Sequence, residues 1–177
     1  MKIYIIGAVG SGKTTLAKNI SSYFNIPHFE LDDIVWDNNK KEERKRSDEE
    51  IKELFLEIIN RDNWIIEDIG RRKFNSAYEK TDIIIFMSIP KHIRDYRLLK
   101  RWIYQKTGKL NSNYKPTLNM LYNMYVWSKA DEKSKPEKLY RLNQYKEKVL
   151  YINNEDLKKL DNIYLKIEEL INKEGVD

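Results

Sequence analysis

A short glycine-rich segment near the start of the chain has the spacing of a phosphate-binding loop. Residues 7–14 read Gly-Ala-Val-Gly-Ser-Gly-Lys-Thr, which fits the pattern G-x-x-x-x-G-K-[ST]. Glycines let the backbone turn so that successive N–H groups converge on phosphate oxygens, and the positive end of the following helix adds to the attraction. In such a loop Lys13 reaches the β- and γ-phosphates, and Thr14 offers its hydroxyl to Mg²⁺. The segment predicts binding of ATP with Mg²⁺ through Gly7, Gly10, Ser11, Gly12, Lys13, Thr14 and Thr15.

The elements on either side of this loop are those that the motif requires. The run Lys2-Ile-Tyr-Ile-Ile6 is short and rich in β-branched residues, which is typical of a buried strand. After Gly12 the apolar residues return with the period of a helix, at Leu16, Ala17, Ile20, Tyr23 and Phe24. Strand, glycine loop and helix therefore follow one another in the order that holds a phosphate at a helix N-terminus.

Strand-like and helix-like segments alternate along the rest of the chain. Further strands are predicted at Pro27–Leu31, Trp64–Ile66, Asp82–Met87 and Val149–Ile152. The strands at Trp64–Ile66 and Asp82–Met87 are apolar runs without alternation of polar and apolar residues. Such runs are typical of strands covered on both faces in a parallel sheet. The pattern predicts an α/β fold, a five-stranded parallel sheet sandwiched by helices, in which ligands bind beyond the carboxyl ends of the strands.

Carboxylates follow two of the predicted strands directly. Asp32 and Asp33 come after the second strand, and Glu67 and Asp68 come after the third. Because the carboxyl ends of parallel strands meet at one edge of the sheet, these side chains are expected near the phosphate loop.

The helix predicted after Pro90 carries two different faces. Its apolar residues Tyr96, Leu99, Trp102 and Ile103 are expected to form the core face. Arg94, Arg97 and Arg101 fall on the opposite side at the helical period and are expected to form a separate basic face.

Capping signals place the remaining helices. Ser47 and Glu50 form a capping-box pattern before a helix over about residues 48–60. Leu118, Leu121, Tyr122 and Tyr125 predict another helix, and Pro136 is expected to open a separate one. The C-terminal helix, with apolar positions from Leu157 to Leu170, is expected to be capped by Asn153 or Asn154. Neither His28 nor His92 lies in a ligand pattern, so both are interpreted as structural or surface residues.

Composition limits the cellular setting and the chemistry. The 177 residues suit a single domain, which is predicted over residues 1–177. The net charge of +5 suits binding to phosphates, nucleotides or nucleic acid without identifying one of them. The absence of cysteine excludes disulfides, a thiol nucleophile and a zinc-thiolate site, and it fits a reducing, cytoplasmic location. No apolar run approaches the roughly 20 residues that cross a bilayer, so no membrane association is expected.

Other nucleotide-binding classes fit this sequence less well than a small-molecule kinase does. No Asn-Lys-x-Asp base-reading motif follows a later strand, which argues against a switch GTPase. A chain of 177 residues is also too short for most mechanical ATPases. The sequence thus favours an enzyme that transfers a phosphoryl group to a small acceptor.

Four segments together resemble the DNA topology modulation proteins, a branch of the adenylate kinase-like P-loop kinases. They are the phosphate loop, Leu31-Asp-Asp-Ile-Val-Trp36, Trp64-Ile-Ile-Glu-Asp68, and Thr81–Pro90 with the Arg-rich helix behind it. The resemblance covers roughly residues 1–105 and implies a P-loop NTPase fold with strand order 2-3-1-4-5.

The resemblance also implies roles for individual residues. Asp32 would orient or deprotonate the acceptor, and Glu67 or its neighbour Asp68 would serve Mg²⁺. This chain has Glu-Asp where that family has Asp-Gly, so either carboxylate fits. An arginine behind this motif binds the acceptor's phosphate in adenylate kinases, which makes Arg71 and Arg72 candidates. Arg97 and Arg101 match the arginines that contact the transferred phosphates.

Two segments are expected to close over the site: residues 38–60 on the acceptor side, and a helical, lid-like insertion at residues 105–135. Their closure would exclude water. The aromatic residues of the lid, among them Tyr104, Tyr122, Tyr125 and Trp127, are interpreted as packing residues rather than as a surface that stacks nucleic-acid bases. A nucleoside or nucleotide is the expected acceptor. The alternative is an ATP-dependent nucleic-acid-binding or regulatory protein with slow hydrolysis, and the oligomeric state stays open.

Overall fold

The computed structural model describes residues 1–37, 44–111 and 115–174. The strands are β1 (Lys2–Gly7), β2 (His28–Glu30), β3 (Trp36–Asp37), β4 (Arg44–Lys45), β5 (Trp64–Asp68), β6 (Ile83–Met87) and β7 (Val149–Ile152). The helices are α1 (Lys13–Phe24), α2 (Leu31–Val35), α3 (Asp48–Ile59), α4 (Ala77–Lys80), α5 (Lys91–Lys106), α6 (Leu118–Leu142) and α7 (Leu160–Glu174). Three 3₁₀ turns lie at Arg72–Phe74, Asn143–Lys148 and Asp156–Lys158. Within the described residues, no helix is long and apolar enough to span a membrane.

Five strands form one parallel sheet in the order β2-β5-β1-β6-β7. Numbered among themselves along the chain, these strands have the order 2-3-1-4-5. The predicted fold class is therefore confirmed, together with the strand order that the resemblance implied. The remaining strands, β3 and β4, pair antiparallel outside this sheet.

Alternating side chains of the sheet enter two separate cores. Tyr4 and Ile6 of β1 pack with α3 and α4 on one face. Ile3 and Ile5 pack with α1 and α7 on the other face. Because both faces of β1 are covered, its run of apolar residues needs no alternation with polar ones.

The predicted helix over 48–60 is confirmed as α3, and its capping box forms as the sequence indicates. Ser47 Oγ accepts from the Glu50 backbone N–H at 3.2 Å, while the Glu50 carboxylate accepts from the Ser47 N–H at 2.8 Å. The other part of the expected acceptor-side segment, residues 38–43, lies outside the described residues, as do residues 112–114 of the expected lid.

The predicted orientation of α5 is wrong. Tyr96, Leu99 and Ile103, expected in the core, are exposed, whereas Arg94 is 0% exposed. Helix α6 makes this burial tolerable because Glu132 forms an ion pair with Arg94 and the Ser128 carbonyl accepts a bond at 3.4 Å. The arginine face therefore points into the protein.

Helix α6 also corrects two local predictions. Pro136 lies inside this continuous helix and does not open a separate one. Tyr104, Tyr122 and Trp127, expected to pack inside the lid, are largely exposed. Near the C-terminus, the side chain of Asn153 accepts from the backbone N–H groups of Glu155 and Asp156, in the loop well before α7 begins at Leu160.

Candidate active site

The phosphate loop connects β1 to α1 in a conformation that only glycine adopts without strain at two positions. Gly10 and Gly12 have φ values of 78° and 97°. A Cβ atom on Gly10 would also come within 2.9 Å of the Arg94 carbonyl oxygen. Helix α5 therefore packs directly against the loop and limits it to glycine at residue 10.

The side chains expected to contact phosphate line this loop. Lys13 Nζ donates to the Ala8 carbonyl at 3.2 Å, so the ammonium group lies across the loop. Thr14 is half-buried at the start of α1, and Thr15 is exposed. Ser11 is fully buried, and its hydroxyl has no hydrogen-bond partner in the part of the chain that the structure describes.

Of the two arginines expected at the phosphates, one lies at the loop. Arg97 donates to the Ser11 carbonyl at 2.7 Å and to Asn154 Oδ1 at 2.9 Å, joining the loop to the end of β7. Burial lowers the pKa of Arg97, but a guanidinium keeps its charge at neutral pH. Arg101 donates instead to Met124 Sδ at 3.4 Å, on the side of α6.

The carboxylates Glu67 and Asp68 point to opposite faces of the sheet. Asp68 pairs in register with Ile6, and Glu67 pairs with Ile5. Since Ile5 packs with α1 and Ile6 with α3, Glu67 faces the helix that follows the phosphate loop, and Asp68 faces the other side. The two carboxylates expected to serve Mg²⁺ therefore lie in two different environments.

Asp68 is surrounded by donors. It accepts from the backbone N–H groups of Gly70 and Arg71 at 2.8 and 2.5 Å, and from the Arg71 guanidinium at 2.6 Å. Burial raises the pKa of Asp68, while the charge of Arg71 opposes that rise. The buried carboxylate therefore holds Arg71 in place.

Arg71 links this carboxylate to Asp32. Its second guanidinium nitrogen donates to Asp32, whose side chain is 65% exposed at the start of α2. Two of the residues expected at the acceptor, Asp32 and Arg71, thus form one cluster at the carboxyl edge of the sheet. Arg72 lies apart from them, exposed and paired with Glu137 at 2.9 Å.

A third arginine that sequence reasoning missed lies beside this cluster. Arg141, at the end of α6, donates to the Gly70 carbonyl at 2.9 Å and to Asn75 Oδ1 at 2.7 Å. It lies 70 residues from Arg71 in the chain, and no local pattern marks it, so only the course of α6 brings the two together.

Glu67 has a very different environment from Asp68. Its side chain is 5% exposed, and its Oε1 atom lies 3.6 Å from His28 Nε2. Glu30 lies on the same face of the neighbouring strand, and its pKa is raised by burial and by the charge of Glu67. His28 and Glu30 are thus two further residues that sequence reasoning did not place in the site, although they lie only four and two residues before Asp32 in the chain.

Helix α6 adds a cleft with charged walls beside the phosphate loop. The cleft is bordered by Gly7 and Ala8, by the end of β6, and by Asp131, Lys135 and Lys138. Lys135 donates to Ser88 Oγ at 2.9 Å, and the buried Lys138 pairs with Asp131. Basic side chains near the loop therefore come from α6 as well as from α5.

Comparison with known proteins identifies the architecture. Over 96% of its length, the chain superposes on shikimate kinase from Bacteroides thetaiotaomicron with a TM-score of 0.57 and 18% identity, covering 97% of that chain. Shikimate kinase from Aquifex aeolicus gives a TM-score of 0.51 and 19% identity, again over 96% of this chain and 97% of that one. The chain has the fold of the shikimate kinases.

Sequence similarity points to the same group over a shorter stretch. The chain is 33% identical to shikimate kinase from Dictyoglomus turgidum over 75 residues, which are 42% of this chain and 39% of that protein. It is 28% identical over 78 residues, or 40% of this chain, to the bifunctional shikimate kinase/3-dehydroquinate synthase from Thermotoga maritima, where the match covers 16%. The matches thus span well under half of either relative, and no family model matches the chain.

These comparisons confirm the coarser part of the expected resemblance, an adenylate kinase-like P-loop kinase fold. The finer resemblance to DNA topology modulation proteins stays a prediction.

Proposed function

We propose that the protein transfers the γ-phosphoryl group of ATP to a hydroxyl group of a small, negatively charged acceptor. The observation that carries this proposal is the Asp32–Arg71–Asp68 cluster at the same sheet edge as the phosphate loop. A carboxylate that can orient a hydroxyl stands there beside a guanidinium that can bind an anion. Phosphoryl transfer requires little more than such positioning and the stabilisation of charge.

In this proposal the acceptor's anionic group binds Arg71, with Arg141 next to it. Arg141 is held there by the Gly70 carbonyl and Asn75 Oδ1, and its Nε lies 3.5 Å from Glu137 Oε1, so its contribution to anion binding is positive charge close to Arg71. The acceptor hydroxyl then lies near the exposed Asp32, which accepts its proton or orients it toward the phosphate. Carboxylates and phosphates both suit the two arginines, so the acceptor is a small hydroxy acid, as the relatives' names suggest, or a nucleotide.

On the nucleotide side, Lys13 and the loop amides bind the phosphates, and Arg97 offsets the charge that develops during transfer. Thr14 and Glu67 would hold Mg²⁺. Glu67 fits this role better than Asp68 because its Oε1 atom is buried without a hydrogen bond in the described part of the chain, whereas Asp68 is occupied by Arg71. Bound Mg²⁺ neutralises phosphate charge and fixes the phosphate geometry.

The test is ADP release from Mg·ATP in the presence of nucleosides, nucleoside monophosphates and small hydroxy acids, including shikimate. We expect one acceptor to accelerate turnover many-fold in the wild type and not in Lys13→Ala. Lys146→Ala, which removes an exposed lysine before β7 at the other edge of the sheet, serves as the matched control and should behave as the wild type. Slow turnover that ignores every acceptor while ATP still binds would overturn the proposal.

The exposed aromatic residues favour a second candidate, ATP-dependent binding of single-stranded nucleic acid. Tyr104, Tyr122 and Trp127 are open to solvent on α5 and α6, and Lys100 lies 5.6 Å from the centre of the Tyr104 ring. Exposed rings beside basic groups can stack bases. This function predicts oligonucleotide binding that weakens steeply with salt and that requires Trp127.

A further inference from the structure

Three side chains on the adjacent strands β2 and β5 form a cluster of metal-ligand type that the proposed transfer reaction does not fully use. Potential ligand atoms of His28, Glu30 and Glu67 all lie within 4.8 Å of one another. One is an imidazole and two are carboxylates, which is the composition of many protein sites for divalent transition-metal ions.

The sheet itself brings these residues together. His28 and Glu30 are two residues apart on β2, so their side chains share one face. The parallel register places Glu30 beside Glu67 and His28 beside Ile65. Rigid backbone thus presents three ligands from two adjacent strands, which favours a preformed site.

Two atoms at the centre of the cluster are buried without partners. Glu67 Oε1 and His28 Nε2 have no hydrogen bond within the described residues, and the two side chains are 5% and 10% exposed. A buried carboxylate oxygen without a donor is costly, so the arrangement calls for a cation that would satisfy it.

The distances suit a shared metal ion better than a direct contact. The two atoms are 3.6 Å apart, which is too long for a hydrogen bond. Two ligands at metal bonds of about 2.0–2.1 Å in a tetrahedral site stand roughly 3.4 Å apart. Among the described residues, Lys18 is a competing cation, since its Nζ lies 3.9 Å from Glu30 Oε1, but its side chain is 66% exposed. Such an exposed pair is weak and is easily displaced.

We propose that His28, Glu30 and Glu67 bind a divalent transition-metal ion of the Zn²⁺ type before any nucleotide is present. The imidazole is the discriminating ligand, because Mg²⁺ prefers oxygen ligands whereas Zn²⁺ accepts nitrogen. Three protein ligands leave a fourth position for water or for a phosphate oxygen. The inference extends the proposed function at Glu67 but does not depend on it, since neither ATP nor an acceptor takes part.

Histidine NMR of the tag-free, nucleotide-free protein tests this directly, because the chain contains only two histidines. Zn²⁺ titration should shift the ring nitrogens of His28 and saturate at one ion per chain. His92, exposed on α5, is the built-in control and should not respond. Millimolar Mg²⁺ should not reproduce the shift. If His28 is unchanged at saturating Zn²⁺, or if both histidines shift together, the inference is wrong.

Variants locate the ligands in a competition assay with a chromogenic chelator. His28→Gln and Glu67→Gln should each weaken Zn²⁺ binding at least tenfold, while His92→Gln should bind as the wild type does. Equal weakening in His92→Gln would overturn the inference. Because these assays contain no ATP, a missing Zn²⁺ site leaves the Mg²⁺-dependent transfer standing, and a protein without kinase activity can still bind Zn²⁺.

Discussion

Strand β5 ends in two adjacent carboxylates whose surroundings differ sharply. Asp68 accepts three hydrogen bonds and holds Arg71 against Asp32, whereas Glu67 keeps a buried oxygen without a donor among the described residues. With three donors bound to it, Asp68 is part of the scaffold that holds Arg71. Glu67 Oε1, by contrast, is buried without a hydrogen-bond donor among the described residues, so binding of a cation would stabilise it. In the function that we propose, a cation therefore binds on the Glu67 side, and the acceptor is positioned on the Asp68 side.

The largest effect is expected from removing the charge on the Glu67 side. Glu67→Gln should lower kcat by about a hundredfold, as is common when one preorganised electrostatic group is lost. Asp68→Asn should affect kcat much less. Steady-state rates over a range of Mg²⁺ concentrations measure both variants. The reverse ranking would show that Asp68 serves the metal.

The second expected effect concerns stability on the Asp68 side. Asp68→Asn should lower the free energy of unfolding by about 3 kcal/mol, because it removes one partner of a buried ion pair. Asp32→Asn, which alters the exposed partner of the same arginine, should cost less than about 1 kcal/mol. Chemical denaturation compares the two variants. If both variants lose the same free energy of unfolding, the buried carboxylate of Asp68 contributes no more to stability than the exposed one of Asp32.

A smaller effect is expected on acceptor binding. Arg71→Lys should raise the KM for the acceptor roughly tenfold with little change in kcat, because an ammonium group lacks the planar fork that joins Asp32 and Asp68. Arg72→Lys, at an exposed site paired with Glu137, is the matched control. A larger increase in KM for that variant would move the anion contact to Arg72.

The smallest expected effect is a pH dependence on the Glu67 side. Burial and the charge of Glu67 raise the pKa of Glu30 above its usual 4.5. Between pH 4.5 and the raised pKa, Glu30 keeps a proton in the folded state that it has lost in the unfolded state. Metal-free wild type should therefore lose stability relative to Glu30→Gln as the pH rises through this range. Thermal melts in chelator from pH 4 to 8 measure the difference. If wild type instead gains stability relative to Glu30→Gln over this pH range, the pKa of Glu30 is not raised in the folded state.

The fold and the phosphate loop could be predicted because both depend on local patterns. Unbroken apolar runs identified the buried strands, and the loop motif was recognised together with its flanking strand and helix. The cluster of Asp32 and Arg71 was anticipated only through a family resemblance.

The remainder of the site depends on long-range packing. The arginine face of α5 was placed outside because burial of Arg94 depends on Glu132 and Ser128, which lie more than 30 residues away. Arg141 reaches Gly70 only because of the course of α6. His28 meets Glu67 through strand register, which a strand of three residues does not reveal in the sequence.

Helix α6 connects the segment expected to form the lid with residues expected near the acceptor. Its 25 residues span about 37 Å at the usual rise, from the expected lid segment to the carbonyl of Gly70. Pro136 lacks a backbone N–H, so α6 has one hydrogen bond fewer near its C-terminal end and bends there more easily than elsewhere. Arg94 of α5 forms an ion pair with Glu132, which lies on the N-terminal side of Pro136 in this helix. If the expected lid closes over ATP, a shift of the N-terminal end of α6 would reach Arg141 through this one helix, and binding of ATP and of the acceptor would be coupled in the proposed site.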